Sequence, residues 1–270
     1  MRGTAEGSIE TVLLAAAFAL SMLSGQSGHV LAQTPGIIGT DDRVPVTDTD
    51  DRWLSIGQVN VGGYSRRSIC SGTLVSPRSV LTAAHCVFDF ARHRPFPARN
   101  VHFAAGVHRD RVAGRAMAKC VLFPPRFDPE VEAQLLPDIS LTRLPNESFR
   151  NDLALIVLDR AIDGVKPMPL AGTGILARKS PVTLAGYPVD RRYILSYQED
   201  CEVLDMVKDV AFVDCDAKPG TSGAPVLVKA GSGYRIAGVL TGHLQIGEAN
   251  VVTSLSSWPG LAADAACPGQ

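Results

Sequence analysis

An excess of either charge is the first thing this 270-residue chain lacks: 26 Lys and Arg stand against 27 Asp and Glu, a formal net charge of −1 with a pI near 6.6. No global basic field is available to recruit nucleic acid or anionic lipid, and neither partner is expected. Long apolar runs are also missing. The longest, Thr11 to Leu23, falls short of the roughly 18 residues a membrane helix needs and has instead the length of a signal-peptide core. Val30-Leu31-Ala32 offers small residues for cleavage after Ala32, against a thin positive flank at Arg2 that Glu6 and Glu10 oppose. Residues 1–32 therefore read as a signal peptide and 33–270 as a chain exported to a secreted or periplasmic location, free of the membrane once cleaved. No Cys or His pair has zinc-like spacing such as C-x-x-C or H-x-x-x-H, so no metal is expected, and no cofactor. Internal repeats and low-complexity tracts are absent. Helical periodicity is weak outside residues 254–266, where a short helix ending before Pro268 is expected.

What the chain does have is a run of short strands. With 46% hydrophobic and 20% charged residues it can bury a real core. Stretches rich in Val, Ile and Leu recur at Leu54 to Val61, Ser71 to Val75, Val101 to Ala105, Leu153 to Leu158, Val182 to Gly186, Ala224 to Val228 and Arg235 to Leu240, punctuated by Gly62-Gly63, Pro77-Arg78 and Gly231-Ser232-Gly233. This is the rhythm of an antiparallel sandwich or barrel. Phe123 to Ser148, with five prolines, lacks that rhythm and reads as a long surface excursion. Asp159 to Pro169 is the best crossover between two halves.

Three stretches carry chemistry. In Leu81-Thr82-Ala83-Ala84-His85-Cys86 an imidazole is anchored by a cysteine whose partner is expected to be Cys70, sixteen positions earlier; a bridge of that span stabilises by about 3 kcal/mol. In Asn151-Asp152-Leu153-Ala154-Leu155-Ile156 a carboxylate stands at the mouth of an apolar strand and needs a donor such as an imidazole N–H. A plain turn is the alternative there, with Asp138 and Asp163 as competing carboxylates. In Gly220-Thr221-Ser222-Gly223-Ala224-Pro225 a serine sits between glycines, which let the backbone turn sharply and aim N–H groups at a substrate oxygen. His93, His102 and His108 have no partner pattern and read as surface or strand residues.

In the order His, Asp, Ser, with TAAHC, NDLAL and GTSGAP as they stand here, the chain resembles the trypsin-like, chymotrypsin-fold serine peptidases over about residues 37–258. Ile38-Gly39-Thr40-Asp41-Asp42-Arg43 and Cys215-Asp216 are similar to the bacterial glutamyl-endopeptidase branch. The resemblance implies an all-β fold of two antiparallel six-stranded barrels, the first over about 37–160 and the second over about 165–253, with the site in the cleft between them. It implies Ser222 as nucleophile, His85 as general base and then acid, and Asp152 as the group that orients the imidazole. The N–H groups of Gly220 and Ser222 would form the oxyanion hole.

Departures from the family pattern bear on activation and specificity. Thr221 stands where trypsin-like zymogens carry the Asp that pairs with a freed N-terminus, so that pair cannot form here, although Ile37-Ile38-Gly39 resembles a processed start. Asp216, six residues before Ser222, matches a pocket-floor carboxylate for basic side chains, yet its neighbours Ala217, Lys218 and Pro219 differ. A glutamyl preference would want a histidine on the strand after the nucleophile. His243 comes close but sits about three residues late, and a rim position is the alternative. Thr241 and Gly242 would pair with the substrate backbone. By spacing, Cys201 and Cys215 flank a possible hairpin and form the second expected bridge. Cys120 and Cys267 either pair or stay free, since six cysteines allow fifteen connectivities. The expectation is a monomeric serine endopeptidase acting on protein or peptide substrates; the alternative is a secreted peptidase-fold binding protein that no longer cleaves.

Overall fold

The computed structural model describes residues 34–47, 50–62, 68–130, 149–244 and 249–269. The expected signal peptide lies outside these residues, as does most of the excursion over 123–148, Asp138 included. The described strands are β1 (Val44–Pro45), β2 (Ile56–Val61), β3 (Ser68–Ser76), β4 (Ser79–Thr82), β5 (Phe88–Asp89), β6 (Arg94–Pro95), β7 (Val101–Ala105), β8 (Gly114–Leu122), β9 (Ala154–Leu158), β10 (Pro181–Gly186), β11 (Ser196–Val207), β12 (Val210–Val213), β13 (Pro225–Ala230), β14 (Gly233–His243) and β15 (Asn250–Ser254).

Two closed barrels result. The first runs β2-β3-β4-β9-β8-β7; the second runs β11-β10-β13-β14-β15-β12 and is closed by pairing of β11 with β12. All the barrel pairings are antiparallel. Closure removes the free sheet edges that would otherwise invite pairing with other chains. Side-chain alternation explains the register. In β7, Val101, Phe103 and Ala105 point inward while His102 faces solvent, and in β8 Ala116 and Ala118 alternate with Arg115, Met117 and Lys119. A slip of one residue would turn arginine into the core. The run Ala-Leu-Ile-Val-Leu of β9 is buried throughout. Trp53 stacks between Tyr197 of β11 and Tyr234 of β14, at 5.3 and 5.4 Å, and so joins the entry to the first barrel with the wall of the second.

All six cysteines pair: Cys70 with Cys86, Cys120 with Cys267 and Cys201 with Cys215, at Cα–Cα separations of 6.0, 6.0 and 5.2 Å. The hairpin expected between Cys201 and Cys215 is β11 and β12, turned through Lys208 at positive φ.

Two expectations are corrected. Over 254–266 only one 3-10 turn forms, Leu255–Ser257, followed by irregular turns. Pro259 lacks an amide donor and Gly260 adopts a φ of +81°, so a continuing helix is broken at its first turn. β1, within the span assigned above to the first barrel, pairs instead with β11 of the second, through Val44↔Tyr197 and Pro45↔Ser196.

Candidate active site

The Ser222 loop is built from two tight turns. Thr221 N–H donates to the Lys218 carbonyl at 3.0 Å, and Ala224 N–H to the Thr221 carbonyl at 2.9 Å. Each turn places a glycine third, Gly220 with φ +93° and Gly223 with φ +82°, and Pro219 sits second in the first turn. Proline second and glycine third is the residue pattern of a type II turn. Ser222 itself stands second in the other turn, partly exposed at its crest. A Cβ on Gly223 would overlap the Ser71 carbonyl and the Thr82 hydroxyl and lie 3.2 Å from the Ala83 amide nitrogen. The serine turn of the second barrel therefore rests on the residues that lead directly into His85.

Ser71 fastens this contact from the first barrel. Its N–H donates to the Ser222 carbonyl at 2.7 Å and its hydroxyl to the Gly220 carbonyl at 2.9 Å, while it accepts the Tyr187 N–H at 2.9 Å. Sequence reasoning missed Ser71, since nothing in its neighbours distinguishes it from any strand serine. With the carbonyls of Gly220 and Ser222 so held, their N–H groups are left without an acceptor among the described residues.

His85 follows β4 in a 3-10 turn that the Cys70–Cys86 bridge pins to β3. Both oxygens of Asp152 serve it: Oδ1 accepts the His85 backbone N–H at 2.9 Å, and Oδ2 lies 2.6 Å from Nδ1. Asp152 is 3% exposed, in the turn that feeds β9. Of its competitors, Asp163 is exposed to solvent. The Nε2 edge of the ring is thereby turned away from the carboxylate. It makes no hydrogen bond to the Ser222 hydroxyl in this structure, its near neighbour being Cys86 Sγ at 3.7 Å. Such bonds are commonly long without substrate and tighten in the reacting complex. Cys70, His85 and Cys86 gather their ligand atoms within 4.8 Å, but the two sulfurs are joined to each other and offer no thiolate to a metal.

Burial opposes protonation of the His85 ring, yet the Asp152 charge and hydrogen bond outweigh it and hold the imidazole above its ordinary pKa of 6.5. A group raised on folding stabilises the fold below its unfolded pKa, and that stability is lost as pH rises through the folded pKa. The neutral ring needed for base chemistry appears only above the folded pKa. The acid limb of a kcat/KM profile is thus expected above pH 6.5, and a limb well below that value in a pH titration would count against His85 as the titrating base.

The expected substrate-pocket residues fall into two groups. Gly242 and His243 are partly exposed on β14, with His243 paired to Asn250 of β15, whereas Thr241 is buried and bonds the Val251 carbonyl. Ala217 is buried, its N–H bonded to the Gly36 carbonyl at 2.7 Å. Asp216 is 2% exposed, and its two oxygens accept the backbone N–H groups of Ile38 at 2.7 Å and Asp42 at 2.8 Å. Burial holds its carboxyl above the ordinary range despite those two donors. With both oxygens occupied by the strap over residues 36–43, Asp216 presents no free carboxylate to a basic side chain. Arg43 continues the clasp. Its buried guanidinium joins Asp41 and Asp190 at 2.7 and 2.9 Å, and Lys218 of the serine loop reaches Asp190 at 3.2 Å. Thr221, in the place of the zymogen Asp, is buried. Among the other histidines, His93 meets Glu130 at the surface and His102 is exposed, but His108 is buried in the turn after β7.

Comparison with known proteins agrees with this architecture. The family profile described as trypsin-like peptidase domain matches residues 70–233. The chain is 27% identical over 191 residues to Serine protease 23 of Rattus norvegicus and 26% identical to that of Mus musculus, in each case over 64% of this chain and 48% of the relative. It thus spans about half the length of the curated relatives it matches. A solved structure described as a Glu endopeptidase in complex with MPD superimposes with a TM-score of 0.65 at 22% identity, covering 81% of this chain and 93% of the other.

Proposed function

Because the chain belongs to the trypsin-like peptidase family, we propose that it is a secreted serine endopeptidase acting through Ser222, His85 and Asp152. A serine hydroxyl is a weak nucleophile until an adjacent base takes its proton. In this reading the Ser222 Oγ attacks the scissile carbonyl carbon while His85 Nε2 accepts the hydroxyl proton. The carbonyl oxygen, now negative, lies against the N–H groups of Gly220 and Ser222. The C–N bond then breaks, and the amine leaves with the proton from His85. Water, deprotonated by the same imidazole, hydrolyses the acyl-enzyme and returns the hydroxyl to Ser222. Asp152 holds Nδ1 protonated, keeps Nε2 free as acceptor and stabilises the imidazolium.

The single observation that carries this reading is the 2.6 Å contact of Asp152 with His85 Nδ1, on a segment against which the Ser222 turn packs. Export is supported by three disulfides, which persist in oxidising compartments, and among the described residues no helix is long and apolar enough to cross a membrane. Substrates are proteins or peptides, with neither metal nor cofactor required. A fluorophosphonate probe should leave one adduct, mapped by mass spectrometry to Ser222, and cleavage of a peptide library should then read out the side-chain preference. A folded protein that takes no adduct would favour the non-cleaving binding protein.

A further inference from the structure

The whole-chain charge of −1 conceals a strong sorting of charge. From Arg94 to Arg126 the chain carries seven cationic side chains, Arg94, Arg99, Arg109, Arg111, Arg115, Lys119 and Arg126, against one carboxylate, Asp110. Four of them, Arg109, Arg111, Arg115 and Lys119, lie exposed on β8 and the turn between β7 and β8, on the solvent side of the first barrel. There the register sets Asn60 of β2, His102 of β7 and Met117 of β8 in one row, and Gln58, Ala104 and Arg115 in the next. Ala104 is the small member of its row, and a groove of about 290 Å³ opens across the three strands. Arg109, Arg115 and Arg160 line it together with Met117 and Tyr193. Arg160 is positioned by a 2.6 Å bond from Nη2 to the Arg115 carbonyl. The guanidinium groups of Arg109 and Arg115 make no hydrogen bond or ion pair with another described residue. Met117 and Tyr193 are 41% and 54% exposed, two of the few large apolar side chains left in solvent.

We propose that this groove docks an acidic segment of the protein substrate, one whose carboxylates are interrupted by aromatic or aliphatic residues. The word substrate rests on the peptidase reading above; the groove does not. Unpaired guanidinium groups take carboxylates in a planar two-point contact, and a concave cationic surface with low-dielectric walls concentrates an anionic ligand. The exposed Met117 and Tyr193 select a peptide over a sulfated or phosphorylated polymer, because such a polymer has no apolar side chains to cover them. One loop, residues 189–193, links the groove to the proposed active site. Its wall at Tyr193 is bonded through its carbonyl to the Arg109 N–H at 2.7 Å, and the same loop rests on the serine turn, where Val189 N–H meets the Pro219 carbonyl at 2.8 Å. A segment lying in the groove is therefore held by the loop that buttresses Gly220.

The test is an anisotropy titration of a fluorescein-labelled glutamate–tyrosine copolymer into Ser222→Ala protein, which needs no turnover. Saturable binding is expected, weakened by salt, lowered about tenfold or more, which is about 1.4 kcal/mol, by Arg109→Glu with Arg115→Glu, and lowered also by Met117→Ala with Tyr193→Ala. Should the charge-reversed pair fail to fold, Arg109→Gln with Arg115→Gln takes its place, with an unchanged thermal midpoint as the control. Binding indifferent to the arginine changes overturns the proposal. So does heparin that competes through the arginines while neither ligand responds to the Met117 and Tyr193 changes, since the face would then be a general polyanion patch. A Ser222 adduct in wild type without copolymer binding sinks the groove alone; copolymer binding without an adduct sinks the peptidase reading alone.

Discussion

Replacing Ser222 with alanine is expected to lower kcat by on the order of 10⁶-fold on any peptide substrate that the wild-type protein cleaves. On the proposed mechanism the loss is large because the hydroxyl and the imidazole act as one unit: without Oγ there is no nucleophile for His85 to deprotonate. What remains is the residual acceleration over water of about 10³ to 10⁴ from binding and from the Gly220 and Ser222 N–H groups, both of which survive in the alanine variant. Adding His85→Ala to Ser222→Ala should then cost little more. Stability should hardly change, since the Ser222 hydroxyl makes no hydrogen bond with another described residue and changes of this kind at a partly exposed site usually stay within about 0.5 kcal/mol. Steady-state kinetics on a purified variant with an unaltered melting curve checks the claim. Turnover within a few fold of wild type would remove Ser222 from the mechanism.

The second large effect concerns Asp152→Asn, for which a fall in kcat of about 10⁴ is expected with the geometry kept. The Oδ1 contact with the His85 backbone N–H, 2.9 Å in the native protein, holds one end of the side chain as a carbonyl. The amide nitrogen must then face His85 Nδ1, where Oδ2 stood at 2.6 Å. Two donors cannot face each other, so the ring takes the tautomer with its proton on Nε2 and has no lone pair for the serine proton. Loss of the negative charge also removes what raises the His85 pKa, and the acid limb should move to lower pH. The plateau kcat and the limb position together separate this role from simple support of the fold, because a merely structural contact would change stability and leave the limb in place. An asparagine variant with near-native kcat and an unmoved limb would refute the assignment.

Much of the architecture was readable along the chain. The apolar strand rhythm, broken by Pro77-Arg78 and Gly231-Ser232-Gly233, announced an all-β fold, and the glycines flanking Ser222 announced its turns, because both are consequences of local backbone preference. β8 was harder to see: its inward residues are the alanines at 116 and 118, too small to stand out beside Arg115, Met117 and Lys119. The helix expected over 254–266 failed for a local reason as well, since Pro259 and Gly260 were present to break it. Ser71 carried no signal, for its work is to bond the carbonyls of Gly220 and Ser222, which lie about 150 positions away.

The residue types and their order determined, without any coordinates, which hydroxyl, imidazole and carboxylate were worth watching and that they sit on strands and turns. Tertiary structure alone decided which carboxylate meets His85, that the N-terminal strap occupies both oxygens of Asp216, that Cys120 finds Cys267, and that a chain of nearly balanced charge sets three arginines around one groove. The division has a physical cause. Backbone preference and side-chain period act over a few residues and leave their trace in local sequence, whereas a hydrogen bond or an ion pair depends on positions in space that only the closed barrels bring together.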